Sequence, residues 1–281
     1  MTISGAAKLA GVAGWPIGHS LSPALHGYWI AEYGLDAAYV PLAIAPEGFA
    51  DAFKALPKLG FRGLNVTLPH KEAAFRLVDA RDDAAEATGA VNTIVFEGVR
   101  ALGRNTDVFG FAESLREAGV ASLASTAVVV LGAGGAARGV VAALFSLGAS
   151  HVHLVNRTAE KAEALAAHFG ARIIVHRWAA LPKLLSTAGL LVNTTSLGMV
   201  GQPPLEIDLK PMRHGVVADI VYRPLETPLL AQASKQGLKA IDGLEMLIHQ
   251  ARPGFAAWFG VEPTLTASLR GHLVSILEGR R

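Results

Sequence analysis

Short apolar runs recur along the chain, most of them closed by glycine, proline or a polar pair and followed by a stretch of helical periodicity. Residues 9–14 read as a strand. Ser22-Pro23 then opens a helix over 24–33, with serine as N-cap and proline at the first helical position. Strands are predicted over 38–44 and 63–68, with a helix over 47–56 between them. A helix over 82–88 is closed by Gly89, and 91–96 with 99–102 form a hairpin about Glu97-Gly98. A helix over 107–118 leads into a second series of strands over 127–131, 151–156, 173–175, 190–193, 216–221 and 238–241.

Such alternation predicts an α/β protein with mostly parallel sheets covered by helices. From about Gly243 the pattern is helical without a strand, and this segment is expected to pack back on the first domain. The predicted organisation is therefore one domain of residues 1–106 with 243–281, and a second of 107–242.

Composition narrows the class. At 281 residues, 51% hydrophobic and 17% charged, the chain has material for two ordinary cores. Its net charge of +2 is spread over scattered Lys and Arg, so no nucleic-acid-binding face is expected. The absence of cysteine excludes disulfides and thiolate metal sites. No set of metal ligands is read from the remaining residues. Residues 118–137 are uncharged, but Ser122, Ser125, Thr126 and a glycine-rich end suit a buried strand and turn better than a membrane span. Residues 1–10 lack the pattern of a signal peptide. The chain is expected to be soluble, and the lack of cysteine is compatible with a reducing cytoplasm.

The predicted strand 127–131 runs into Gly132-Ala133-Gly134-Gly135-Ala136-Ala137, a G-x-G-x-x-A dinucleotide fingerprint followed by a helix. The first glycine permits a tight turn and the second lets the backbone approach a pyrophosphate. The third position stays small for packing. The helix N-terminus then offers unpaired N–H groups to phosphate. At the end of the next strand an NAD site would carry a carboxylate for the ribose. This chain has Asn156-Arg157-Thr158, with Lys161 one turn later. A guanidinium and a hydroxyl suit a 2′-phosphate, so NADP is favoured; the alternative is a solvated loop arginine.

In the first domain, polar groups gather at predicted strand ends. Ser20 and Ser22 follow the first strand, and Ser22 serves as a helix cap, a ligand group or both. Asn65 and Thr67 alternate toward one face of their strand. Proline at 69 releases the chain there, and Lys71 follows, either as a surface charge or as a group aimed at substrate. Asn92-Thr93 opens the hairpin. Asn105-Thr106-Asp107 opens the next helix, where Asp107 by itself is an ordinary first-turn acid.

Together these segments resemble the shikimate dehydrogenase family. The likeness continues through Gly89-Ala90-Val91-Asn92-Thr93, Asn193-Thr194-Thr195-Ser196-Leu197-Gly198-Met199, Asp219-Ile220-Val221-Tyr222 and the segment from Asp242 to Gln250. It implies a substrate domain joined to a Rossmann-type NADP-binding domain, and NADPH-dependent reduction of 3-dehydroshikimate to shikimate. Lys71 and Asp107 match the catalytic pair. Ser20, Ser22, Asn65, Thr67, Asn92, Tyr222 and Gln250 match substrate-side positions. Gly132, Ala133, Gly134, Gly135, Ala136, Asn156, Arg157, Thr158, Lys161, Thr194, Ser196, Met199 and Gly243 fall to the cofactor side, the segments of Met199 and Gly243 bordering the nicotinamide. His70, Val108 and Glu245 depart from the commonest family pattern and are expected to place bulk or charge near the cleft, bearing on fine specificity but not on the reaction class.

In the reductive direction a lysine ammonium would donate to the ketone oxygen, with Asp107 orienting the substrate hydroxyl and Lys71. Two other readings stand beside this one: a quinate/shikimate dehydrogenase of broader specificity, and a catalytically silent ligand sensor.

Overall fold

The structure, a computed structural model, describes residues 3–98 and 100–279. Val99, the predicted start of the second hairpin strand, lies outside the described residues. Two compact units are present. One takes the described residues up to Thr106 and from Gln250 onward, and the other is Asp107–His249. The division thus falls inside a helix rather than at Gly243.

The first unit runs β1 (Lys8–Gly14), α1 (Ser22–Glu32), β2 (Ala37–Ala43), α2 (Phe49–Ala55), β3 (Phe61–Val66), α3 (Lys71–Leu77), β4 (Ala80–Arg81), α4 (Asp83–Thr88), β5 (Thr93–Glu97) and β6 (Arg100–Arg104). Its sheet has the order β2-β1-β3-β5-β6-β4. β1 pairs parallel with β2 and β3, and the hairpin adds antiparallel pairing from β3 to β5 and from β5 to β6. Asp82 caps α4 through Oδ1, which accepts from Ala85 N at 2.7 Å, and Gly89 ends that helix at φ 65°.

α5 (Thr106–Glu117) enters the second unit. There follow β7 (Val128–Leu131), α6 (Gly135–Ser146), β8 (Val152–Val155), α7 (Ala159–Phe169), β9 (Ile173–His176), α8 (Leu181–Leu185), β10 (Leu190–Asn193), β11 (Val216–Asp219), α9 (Pro228–Lys235) and β12 (Lys239–Ile241). All neighbours in the order β12-β11-β10-β7-β8-β9 are parallel. The apolar run of β7 splits by alternation. Val128 and Val130 join one core with Leu144 and Leu154, while Val129 and Leu131 join another with Leu191 and Val217. Both faces are covered, which is why these strands read as continuous hydrophobic runs.

α10 (Gly243–Phe259) and α11 (Ala267–Leu277) end the chain. Within the first unit, Trp258 Nε1 donates to Ile94 O at 2.9 Å, and Trp29 Nε1 donates to Thr264 O at 3.3 Å. Gly63 is required at this contact, because a Cβ there would lie 1.9 Å from Trp258 Nε1. The C-terminal helices therefore do return to the first unit's sheet.

Candidate functional site

In the second unit, strands numbered outward in both directions from β7 leave a switch point between β7 and β10, where ligands of open α/β sheets bind. Leu131 is in register with Asn193, and Thr194 N donates to Leu131 O at 2.8 Å. Gly132 turns the chain at φ 101°, and a Cβ on it would lie 2.8 Å from Thr194 Oγ1. That glycine is demanded by the protein itself. Gly134 and Gly135 are different: a Cβ on either would meet nothing within 4 Å, and neither has positive φ. Their smallness leaves open space over the start of α6, whose N-cap Gly134 has no side-chain cap. Unsatisfied N–H groups facing open space suit a phosphate.

Arg157 and Thr158 are exposed just past β8, with Asn156 Nδ2 donating to Thr158 O at 2.7 Å and so shaping the turn. Lys161 is exposed on α7, and no carboxylate occupies the loop from Asn156 to Thr158. These residues fit a dinucleotide carrying a 2′-phosphate.

Other cofactor-side positions have a more structural explanation. Thr194 Oγ1 donates to Leu131 O at 2.8 Å, so its hydroxyl braces the glycine turn. Gly243 lets α10 start against β11, since a Cβ there would lie 2.2 Å from Ile220 O. Ser196 and Met199 are exposed beyond β10. Sequence reading passed over the lock beneath them. Asp219 Oδ1 accepts from Asn193 Nδ2 at 2.9 Å and Oδ2 from Thr227 Oγ1 at 2.8 Å. Burial raises the Asp219 pKa despite these bonds.

In the first unit the structure brings together Asn65, Asn92 and Gln250. Asn65 is buried. Its Oδ1 accepts from Tyr39 Oη at 2.6 Å, and its Nδ2 donates to Thr93 Oγ1 at 3.0 Å and Asn92 O at 3.3 Å. Asn92 Oδ1 accepts from Thr106 N at 2.8 Å, and Asn92 Nδ2 donates to Gln250 Oε1 at 3.4 Å. Lys71 is the first residue of α3, and Val91 N donates to Lys71 O at 3.0 Å. The lysine backbone is thereby fastened to the segment that carries Asn92. A cation at a helix start opposes the helix dipole, so its placement there does not serve helix stability. Tyr39 and Thr106, both missed, were hidden because their roles come from cross-strand register.

Several expectations change. The strand ends at Val66, so Thr67 stands in the turn after it, its N donating to Ala13 O at 2.9 Å. Ser22 does not cap α1: the helix begins at Ser22 itself, with Leu21 as N-cap and no side-chain bond. Ser20 Oγ instead accepts from Ser22 N at 3.3 Å. His70 is buried, stacked on Phe49 at 4.3 Å, and its Nε2 donates to Ile44 O at 2.7 Å. Val108 packs against the second unit's core, and Glu245 groups with Glu117 and His249.

Asp107 and Tyr222 belong to the second unit. Asp107 lies in the first turn of α5. Tyr222 is half-buried, and burial raises its phenol pKa while the Arg223 charge pulls it down.

Residues 12–94 match the family described as shikimate dehydrogenase substrate binding domain, and 114–200 match shikimate / quinate 5-dehydrogenase. The chain is 54% identical to the NADP(+) shikimate dehydrogenase of Rhodospirillum rubrum, over 95% of this chain and 97% of that one. It is also 54% identical to that of Acidiphilium cryptum, over 99% and 100%. Among solved structures, shikimate 5-dehydrogenase of Thermus thermophilus with NADP(H) and shikimate is 36% identical, with a TM-score of 0.84 over 98% of this chain and 100% of that one. A quinate dehydrogenase of Corynebacterium glutamicum with NAD is 30% identical, with a TM-score of 0.86 over 97% and 99%.

Proposed function

The chain belongs to the shikimate dehydrogenase family, and we propose on that footing that it catalyses the NADPH-dependent, reversible reduction of 3-dehydroshikimate to shikimate in aromatic amino-acid biosynthesis. The observation that carries the cofactor choice is the exposed Arg157-Thr158 pair at the end of β8, behind a glycine turn in which a Cβ on Gly134 or Gly135 would meet no protein atom within 4 Å. The residues up to 106 and from 250 form the substrate domain, and 107–249 the NADP domain.

When bound, the dinucleotide supplies the hydride for the ring ketone. The protein supplies position and charge. Gly132, Ala133, Gly134, Gly135 and Ala136 cradle the pyrophosphate, and Arg157, Thr158 and Lys161 hold the 2′-phosphate. Ser20, Ser22, Thr67, Asn92, Tyr222 and Gln250 bind the substrate's carboxylate and hydroxyls, with Asn65 holding the amide cluster in register. Lys71 donates a proton to the oxygen that gains negative charge, and Asp107 orients the substrate hydroxyl and Lys71. The enzyme acts in the cytoplasm, as monomer or homodimer.

NADPH absorbance followed with 3-dehydroshikimate, then NADP and NAD each offered with shikimate or quinate, tests this reading. Turnover of shikimate with NADP far above NAD is expected. Preferred oxidation of quinate with NAD would favour the broader enzyme, and binding without turnover would favour the sensor.

A further inference from the structure

Three titratable side chains that the proposed reaction leaves unused come together where α5 ends and α10 begins, all within the second unit. They are Glu117, Glu245 and His249. Glu245 and His249 are four residues apart on α10, so the helix sets them on one face. Glu117 is the last residue of α5. One donor atom from each lies within 4.8 Å of the others.

His249 is 3% exposed, and neither ring nitrogen has a hydrogen-bond partner. Glu117 Oε2 approaches its Nε2 to 3.1 Å, an ion-pair distance. The carboxylate nevertheless lies off the line a ring N–H would take, so the short contact is not a hydrogen bond. Leaving a buried polar group unbonded is unfavourable, so such a group is commonly there to meet a partner. Two donors of one tetrahedral zinc ion, each about 2.1 Å from the metal, stand about 3.4 Å apart and point at the metal rather than at each other. The off-line approach of Glu117 to His249 has that character. The Glu245 carboxylate, with a donor atom within 4.8 Å of the other two, offers the third donor.

We propose that Glu117, Glu245 and His249 form a binding site for a divalent first-row transition-metal cation of the zinc type. An imidazole with two carboxylates is a donor set such ions accept. The Glu117 side chain is 52% exposed, which gives the cation a path from water and leaves water to complete its shell. No cysteine in the chain offers a competing thiolate site. The bound ion would cross-link α5 to the first turns of α10, directly before Gln250. The site stands apart from the proposed reaction and does not depend on it.

The test uses the untagged full chain and zinc chloride alone, read by calorimetric titration and by metal content after dialysis. Retention of one zinc per chain and a rise in Tm with zinc are expected. Glu117→Gln and Glu245→Gln change partly exposed side chains and should each weaken binding at least tenfold and abolish the Tm rise. His153→Gln removes one member of a separate pair, in which His153 Nδ1 lies 2.9 Å from His176 Nε2, and should leave both readouts unchanged. Absence of saturable zinc binding would overturn the proposal. So would unchanged affinity in both glutamate variants, or loss of binding in the His153 variant instead.

Discussion

Tyr39 donates its phenolic hydrogen to Asn65 Oδ1 over 2.6 Å, and that bond sets which way the buried amide faces. With Oδ1 so engaged, both hydrogens of Nδ2 are directed to Thr93 and Asn92. Asn65 thereby also ties Tyr39 to the segment that carries Asn92 and Thr93.

Tyr39→Phe should raise the KM for 3-dehydroshikimate about tenfold with little change in kcat, since loss of a partner at a buried acceptor costs about 1–3 kcal/mol. Steady-state kinetics at saturating NADPH reads this split. An unchanged KM would mean that the amide's orientation does not bear on binding.

Lys71→Ala should lower turnover by roughly 10²–10⁴-fold with a modest loss of substrate binding, as removal of a positioned proton donor does. Turnover near that of the parent protein would remove Lys71 from the proposed chemistry.

Arg157→Ala should raise the KM for NADPH by more than about tenfold while that for shikimate changes little, because a charge-assisted bond to phosphate contributes about 1.5–3 kcal/mol. Equal changes in the two constants would argue that the guanidinium does not read the 2′-phosphate.

The glycine loop separates two kinds of requirement. Gly134→Ala meets no protein atom and no unfavourable φ, so Tm should hold or rise slightly while NADP affinity falls. Gly132→Ala puts a Cβ at φ 101° against Thr194 and should lower Tm. Melting curves with and without NADP distinguish them. Equal loss of Tm in both would count against the open cradle over α6.

His26 links the same region to acid stability. It is fully buried and stacked on Tyr39 at 3.9 Å, with neither ring nitrogen hydrogen-bonded. Burial lowers its pKa from 6.5 to about 3; Asn65 offsets part of this without forming an aligned bond. Above pH 6.5 the ring is neutral folded or unfolded, and the stability is fully present. As pH falls from 6.5 toward 3, only the unfolded chain takes up the proton, so stability drops by about 2 kcal/mol by pH 5. His26→Phe should lose less Tm than the parent between pH 7 and pH 5. Parallel decline of the two curves would exclude His26 as the source.

The order of elements, the α/β class and the chemistry of the glycine turn are legible along the chain. Those follow from short-range causes: apolar runs that must be buried on both faces, helix periodicity, and glycines where the chain must bend. The misplaced cap at Ser22 shows the limit even there, because proline and polar residues leave the start of a helix ambiguous by a residue or two. Where the side chains point emerges from packing in three dimensions. His70 stacks on Phe49, and a Cβ at Gly243 would meet Ile220 O. Glu245, four residues before His249, carried a spacing signal, yet Glu117 completes the group from another helix. Such partners are set by sheet order, register and helix packing across many residues, which no local pattern along the chain records.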